Sequence, residues 1–577
     1  MQKRFLLCFS IIFSLFISPV FAEKFNFITP KDPKWPSKQE WQQLSSEVDG
    51  NLIEITPATK TATKEDLSNP YYITNQAGAT QTSGWHGAWD TAPSAYGITA
   101  QETKHLVAAV NFAKKHDIRL VIKSGGHSYQ GTSNAPDSLL VWMKDMNDIK
   151  INKKFVCQGC EGKEDPRKAV VIETGARWLP VYDKIMGNSN LYVQGGGCAT
   201  VAVGGLISSG GFGSFSKMYG LAAAGLLEAE IVTADGKVLT VNPYQNSDLF
   251  WAIKGGGGGS FGIISKVTLR TQELPNYFGS ANVTIKANSD ESYKKLINSF
   301  LTFYKNDLMN EKWGESVMFK KDNSVAITMV FAGLSTEEAQ NVWKEFLDKI
   351  SAQSKEFTIT ERYFNAQPAN RFFNIDYRLD KMSKSVASDT RENASKRNVF
   401  WKGNQGEVGI YLYGYDSFWL SQKLLEKKQM PNLVESIFKS TRSYDVGFHF
   451  NKGLAGSSQK VKDEALNTAM NPVVVDAFAL AIIADGIGGY PKFTDPKFSK
   501  KQADINAKNL YKAAKELRKI APNGGSYVSE ADYFDTKWRE KYWGSNYKKL
   551  RAVKEKYDPE GMFTVHHGVG SEKRLAK

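Results

Sequence analysis

Between Thr99 and His116 the apolar residues Leu106, Val107, Val110 and Ala113 recur with the helical period, which predicts an amphipathic helix. Asp117-Ile-Arg leads into a β-type run, Leu120-Val-Ile-Lys, which breaks at Ser124-Gly125-Gly126-His127-Ser128-Tyr129 and resumes as Leu139-Leu-Val-Trp. Val170-Val-Ile-Glu reads as a strand and Trp178–Met186 as a helix. Glu228–Thr240 reads as strand, Asp-Gly turn, strand. A helical piece at Asp248–Ile253 and a strand at Ile263–Leu269 flank the glycine run Gly255–Gly259. From Pro275 glycine thins out and longer elements alternate: helices over Tyr293–Tyr304, Thr336–Lys349 and Ile505–Leu517, and a strand over Ser324–Phe331. A last helix, Tyr547–Tyr557, is stopped by Asp558-Pro559. No internal repeat is present. The chain of 577 residues exceeds what one hydrophobic core serves, and the change in composition predicts a second domain over 275–504.

The N-terminus changes the picture first. Lys3 and Arg4 precede an apolar stretch from Phe5 to Ile17, and Ser18-Pro19-Val20-Phe21-Ala22 ends it with a small residue. Residues 1–22 are therefore expected to be a signal peptide, with export to the periplasm or exterior after cleavage near Ala22. No later run approaches the ~20 apolar residues of a membrane helix, so no membrane insertion of the mature chain is expected. Net charge is +14 and falls by two, to +12, without Lys3 and Arg4. The basic residues are scattered among Asp and Glu rather than gathered in a block, which argues against nucleic acid as a partner. Removal of Cys8 with the leader leaves Cys157, Cys160 and Cys198. Cys157-Gln-Gly-Cys160 has no following His and no second Cys pair, so a local disulfide is favoured over haem or zinc, and no metal is expected. Cys198 is left over.

Gly257, Gly259 and Gly262 fit G-x-G-x-x-G, but β-branched Ile263-Ile-Ser-Lys-Val follows where a dinucleotide fingerprint needs a helix. A tight turn is the better reading. Ser124-Gly-Gly-His-Ser-Tyr follows an apolar strand, and its two glycines let successive N–H groups converge into an anion-binding nest. Residues 195–213 contain eight glycines in nineteen, a composition that makes sense where backbone lies against a flat ligand, with Cys198 placed to touch it.

Taken with NSDLFWAIKGGGGGSFGII and YWGSNYKKLRAVKEKYDP, the segments KSGGHSYQGTS and GGGCATVAVGGLISSGGFGSFSKMYGLAAAGLLEAEIVTADG resemble the berberine-bridge-enzyme branch of the vanillyl-alcohol-oxidase flavoproteins. The resemblance spans nearly all of the mature chain, in order. It implies an α+β fold: a bipartite, non-Rossmann FAD-binding domain with an inserted α+β substrate domain. The parts are then 23–274, the insert 275–504, and a returning segment 505–577. It also implies FAD bonded twice, through His127 to the flavin 8α-methyl and through Cys198 to C6, imidazole and thiolate being nucleophilic enough to add to an electron-poor ring. Ser124, Gly125, Gly126 and Ser128 match the pyrophosphate loop. Gly204, Gly205, Ser209, Gly210 and Gly213 match the stretch against the flavin, and Asn546 and Tyr547 the C-terminal pair closing over it. Val201 matches the position that gates oxygen, and Val there suggests access for O2.

Tyr527-Val-Ser-Glu530-Ala-Asp532 resembles the variant segment in which a glutamate replaces the usual tyrosine base. Glu530 is then the expected general base, the alternative being a solvated loop carboxylate. His449, on the alternating run Phe448-His-Phe-Asn-Lys452, is a second catalytic candidate, and His566 and His567 could touch flavin or substrate. The expected activity is oxidation of an alcohol or sugar CH–OH group with electrons passing to O2 and H2O2 formed. A dehydrogenase with another acceptor, and a low-turnover flavin- or glycan-binding protein, stay open. The substrate itself is not legible, because fold does not choose it.

Overall fold

A computed structural model describes residues 25–496 and 498–575. The expected signal peptide lies outside the described residues. No helix among those described is long and apolar enough to cross a membrane.

Three sheets organise the chain. The first is four-stranded, in the order Leu52–Glu54, Tyr96–Thr99, Ser138–Trp142, Arg119–Lys123, and its last three strands run parallel. The helix Thr103–His116 buries Leu106, Ala109, Val110 and Ala113 in the core beside it and ends at Asp117 in the left-handed region. Its start falls short of the predicted Thr99 because Tyr96–Thr99 pairs as a strand first. The second sheet is antiparallel and five-stranded, and includes the hairpin Leu226–Val232/Val238–Val241 with Ile263–Arg270 and Arg167–Glu173. The helix Trp178–Ser189 packs Leu179, Val181, Tyr182 and Ile185 into the same core as those strands.

The third sheet has nine strands, drawn mostly from the region after Pro275, and buries a separate core under the helices Asp290–Phe303, Thr336–Ser351, Met430–Thr441 and Lys500–Arg518. Two details cut across the expected boundaries. Thr82–Trp85, far upstream, joins this sheet parallel to Ile410–Leu412. The helix Lys500–Arg518 runs through the boundary placed at Asp504 and packs Leu510, Ala513, Ala514 and Leu517 against the large sheet. An apolar helical face states that a helix is covered, and leaves open which sheet covers it.

Gly262 leads directly into Ile263–Arg270, so the glycine motif before it opens a strand, as expected, and not a Rossmann helix. Cys157 and Cys160 form a disulfide, and Cys198 is the free cysteine among the described residues. The bridge closes so short a loop that replacing both cysteines by Ser is expected to cost at most about 2 kcal/mol of stability. Thermal unfolding of the double variant checks this, with flavin loading expected to stay intact.

Candidate functional site

The glycines the sequence singled out are close-approach positions. A Cβ at Gly125 would lie 2.9 Å from Ala202 N and 3.1 Å from Thr200 O, so the loop after the first sheet and the Cys198 segment touch backbone to backbone. At Gly204 it would meet Ser124 Oγ at 2.9 Å, and at Gly213 the carbonyl oxygen of Gly195 at 2.0 Å. Gly126 has φ +75°. This contact brings His127 and Cys198, distant in sequence, to one cavity of about 960 Å³, near the top of the roughly 300–1,000 Å³ range of cofactor pockets.

The cavity is lined by Ser124, Gly125, Gly126, His127 and Ser128 from one loop, and by Cys198, Val201, Gly204, Gly205, Ser209 and Gly213 from the glycine-rich segment. Glu530, His449, His566 and His567 also face it. Three expected residues do not line it. Gly210 packs where a Cβ would strike Met470 Sδ at 2.2 Å, and Asn546 Nδ2 donates to the Met470 carbonyl at 2.7 Å. Tyr547 stacks behind the wall residue Trp543. All three brace the wall from outside. Conversely, Gly257–Gly259 and Ser260, set aside as a plain turn, form part of the lining. A second, open cleft of about 980 Å³ holds none of the candidates, and its Asp183 and Asp376 are tied to Arg397.

Electrostatics separate the two nucleophiles. Burial, then Arg177 and Lys123, push His127 down to about 4, so its imidazole is neutral and carries a free lone pair at neutral pH. Burial, with Glu407, Glu315 and Glu530 adding and Lys452 opposing, pushes the Cys198 thiol up to about 12. The site therefore holds Cys198 as a thiol, not as the expected thiolate. Its partial exposure opens into the cavity.

Around Cys198 sits an acid cluster the sequence did not reveal. Lys452 Nζ lies 2.6 Å from both oxygens of Glu530. Glu530 is thus not a solvated loop carboxylate; the pair is largely shielded, with side-chain exposures of 14% and 18%. Glu315, at φ +71° on the strand Trp313–Phe319, accepts from Ser214 Oγ, and burial raises its pKa. Glu407, solvent-exposed on the 3-10 helix Lys402–Glu407, also lines the cavity, and partial burial there raises its pKa. Asp532, the other carboxylate of the Glu530 segment, accepts from Tyr511 OH at 2.8 Å and does not line the cavity. Burial and Lys452 hold His449 far below its ordinary pKa, so it is a neutral ring. His566 stacks on Tyr533 and pairs with its carbonyl, while His567 pairs with Tyr542 OH at 3.1 Å.

The residues present fit a flavin dinucleotide. Gln81 Oε1, Ser260 Oγ and Asn451 Oδ1 are buried without a protein partner, and all three residues line the cavity. Buried acceptors of this kind call for a ligand's hydroxyl and N–H groups. The glycine cradle admits a flat ring, and the neutral imidazole of His127 and the thiol of Cys198 both face it.

Comparison with known proteins agrees. Residues 94–242 match the FAD binding domain family model, and residues 526–570 match that for berberine and berberine-like proteins. A FAD-linked oxidoreductase of Arthroderma benhamiae is 28% identical over 94% of each chain. The crystal structure of a VAO-type flavoprotein of Myceliophthora thermophila superposes with a TM-score of 0.77 at 20% identity, covering 96% of this chain and 98% of that one. A glucooligosaccharide oxidase of Acremonium strictum, described with 6-S-cysteinyl, 8α-N1-histidyl FAD, gives a TM-score of 0.66 at 18% identity over 92% and 99%. The fold is that of the vanillyl-alcohol-oxidase-type flavoproteins. The chain carries segments that match the FAD binding domain and berberine-like models, and the relatives it resembles bear the name FAD-linked oxidoreductase.

Proposed function

We propose that the chain is an exported oxidase that carries FAD bonded to both His127 and Cys198, oxidises a CH–OH group of an alcohol or sugar, and passes the electrons to O2 with formation of H2O2. The observation that carries this reading is the convergence of a neutral His127, the free Cys198 and the Lys452–Glu530 pair on one cavity with unpartnered acceptors in its wall. The doubly attached FAD of the glucooligosaccharide oxidase supports it. When bound, the flavin supplies a two-electron acceptor for the hydride leaving the substrate carbon.

The chain's own residues do the rest. Glu530 takes the hydroxyl proton, and the Lys452 ammonium balances its charge until then. Glu315 and Glu407, whose pKa values burial raises, line the same cavity and offer oxygens for hydrogen bonds with substrate hydroxyls. Phe372, Phe373 and Trp401 wall the cavity with apolar rings, and Trp401 is fixed by donation from Nε1 to the Gly197 carbonyl at 2.7 Å. Val201, also in the lining, leaves a small side chain where O2 would approach. A panel of alcohols and sugars assayed for peroxide tests the reading. One equivalent of H2O2 per substrate oxidised is expected. Flavin that bleaches with substrate but is not reoxidised in air would instead mean a dehydrogenase, and flavin that no substrate bleaches would remove the enzymatic reading.

A further inference from the structure

His127 Nε2 lies 3.0 Å from Thr200 Oγ1. Thr200 is 3% exposed and stands two residues beyond Cys198, on the segment whose main chain touches Gly125. A neutral imidazole has one N–H and one lone pair, and its hydrogen bonds decide which nitrogen carries which. The nearby cations cannot serve as acceptors. Lys123 Nζ already donates to the carbonyls of Gln76 at 2.6 Å and Ala79 at 2.5 Å, and Arg177 donates to Asn75 Oδ1 at 2.5 Å. Thr200 Oγ1, which meets the ring at Nε2, can accept.

We propose that Thr200 is a positioning residue for covalent attachment: its hydroxyl accepts the Nε2–H of His127, fixes that tautomer and leaves the Nδ1 lone pair to bond carbon. The proposal rests on the reading of the cavity as a flavin site. In the step a bond forms from Nδ1 to the ring-methyl carbon and one methyl C–H bond breaks. That C–H proton, the proton leaving Nε2 and two electrons pass to the ring, which is reduced. Dioxygen then takes the two electrons and two protons and departs as H2O2. Alkylation at Nδ1 makes the Nε2–H acidic, and its proton leaves along the bond to Thr200. Burial and the charges of Arg177 and Lys123 disfavour a cationic ring, so they promote that departure.

The test is peptide mapping of flavin on His127 in Thr200→Val and Thr200→Ser proteins, with NMR of the isolated flavin peptide to identify the bonded nitrogen. Thr200→Ser keeps the hydroxyl and is expected to match wild type, linked through Nδ1. Thr200→Val is expected to lower the rate of His127 attachment roughly tenfold, the worth of one hydrogen bond to a reacting group, or to divert part of it to Nε2. Flavin on Cys198 should persist in the Val protein and marks a folded, loaded site. A Val protein that attaches through Nδ1 at the wild-type rate, or a Ser protein as impaired as the Val one, would overturn the role of Thr200. Wild-type protein without flavin on His127 would overturn the flavin reading and this one together.

Discussion

Glu530→Gln is expected to give a folded protein with normally attached flavin and a rate of flavin reduction by substrate lowered ~10²–10⁴-fold. Gln keeps the shape and can still accept from Lys452, but it cannot take the hydroxyl proton. Lys452→Met acts differently. It removes the cation 2.6 Å from both carboxylate oxygens, so the carboxylate loses its anchor and flavin reduction should slow by less than in Glu530→Gln. Anaerobic stopped-flow reduction of the flavin checks both. If Glu530→Gln reduces flavin within about threefold of wild type, proton removal belongs to another group, with the cavity-lining Glu315 and Glu407 next in line.

Loss of both attaching side chains has the other large effect. His127→Ala combined with Cys198→Ala should release all flavin on acid denaturation, whereas either single variant should stay yellow. The two bonds should also form with different pH dependence. His127 is neutral above about pH 4, so its attachment is expected to be flat from pH 6 to 9. Burial pushes the Cys198 thiol up to about 12, and below that value the thiolate fraction grows about tenfold per pH unit. Cys198 attachment to added FAD should therefore quicken as pH rises over the same range. Equal pH dependence in the two single variants would contradict the electrostatic account.

Residues whose chemistry depends on local chain order were the legible ones. The loop Ser124–Ser128 and the glycines around Cys198 announced themselves because close backbone approach demands glycine, and the structure places that demand at Gly125, Gly204 and Gly213. The helix Tyr547–Tyr557 ends where Asp558-Pro559 said it would. The acid cluster was not legible. Glu315, Glu407 and Lys452 come from three elements of the insert and look like any other charged residues until the nine-stranded sheet assembles. Thr82–Trp85 was missed for the same reason, since strand pairing across more than three hundred residues leaves no local pattern. Asn546 and Tyr547 show the reverse. They match a family motif, yet here they brace the cavity wall through Met470 and Trp543.

The most direct measurement is proteolytic mapping of the purified native protein after acid denaturation and washing. The account predicts yellow protein and a single flavin that cross-links the peptide containing His127 to the peptide containing Cys198. Colour found wholly in the wash, with both peptides at their unmodified masses, would contradict it.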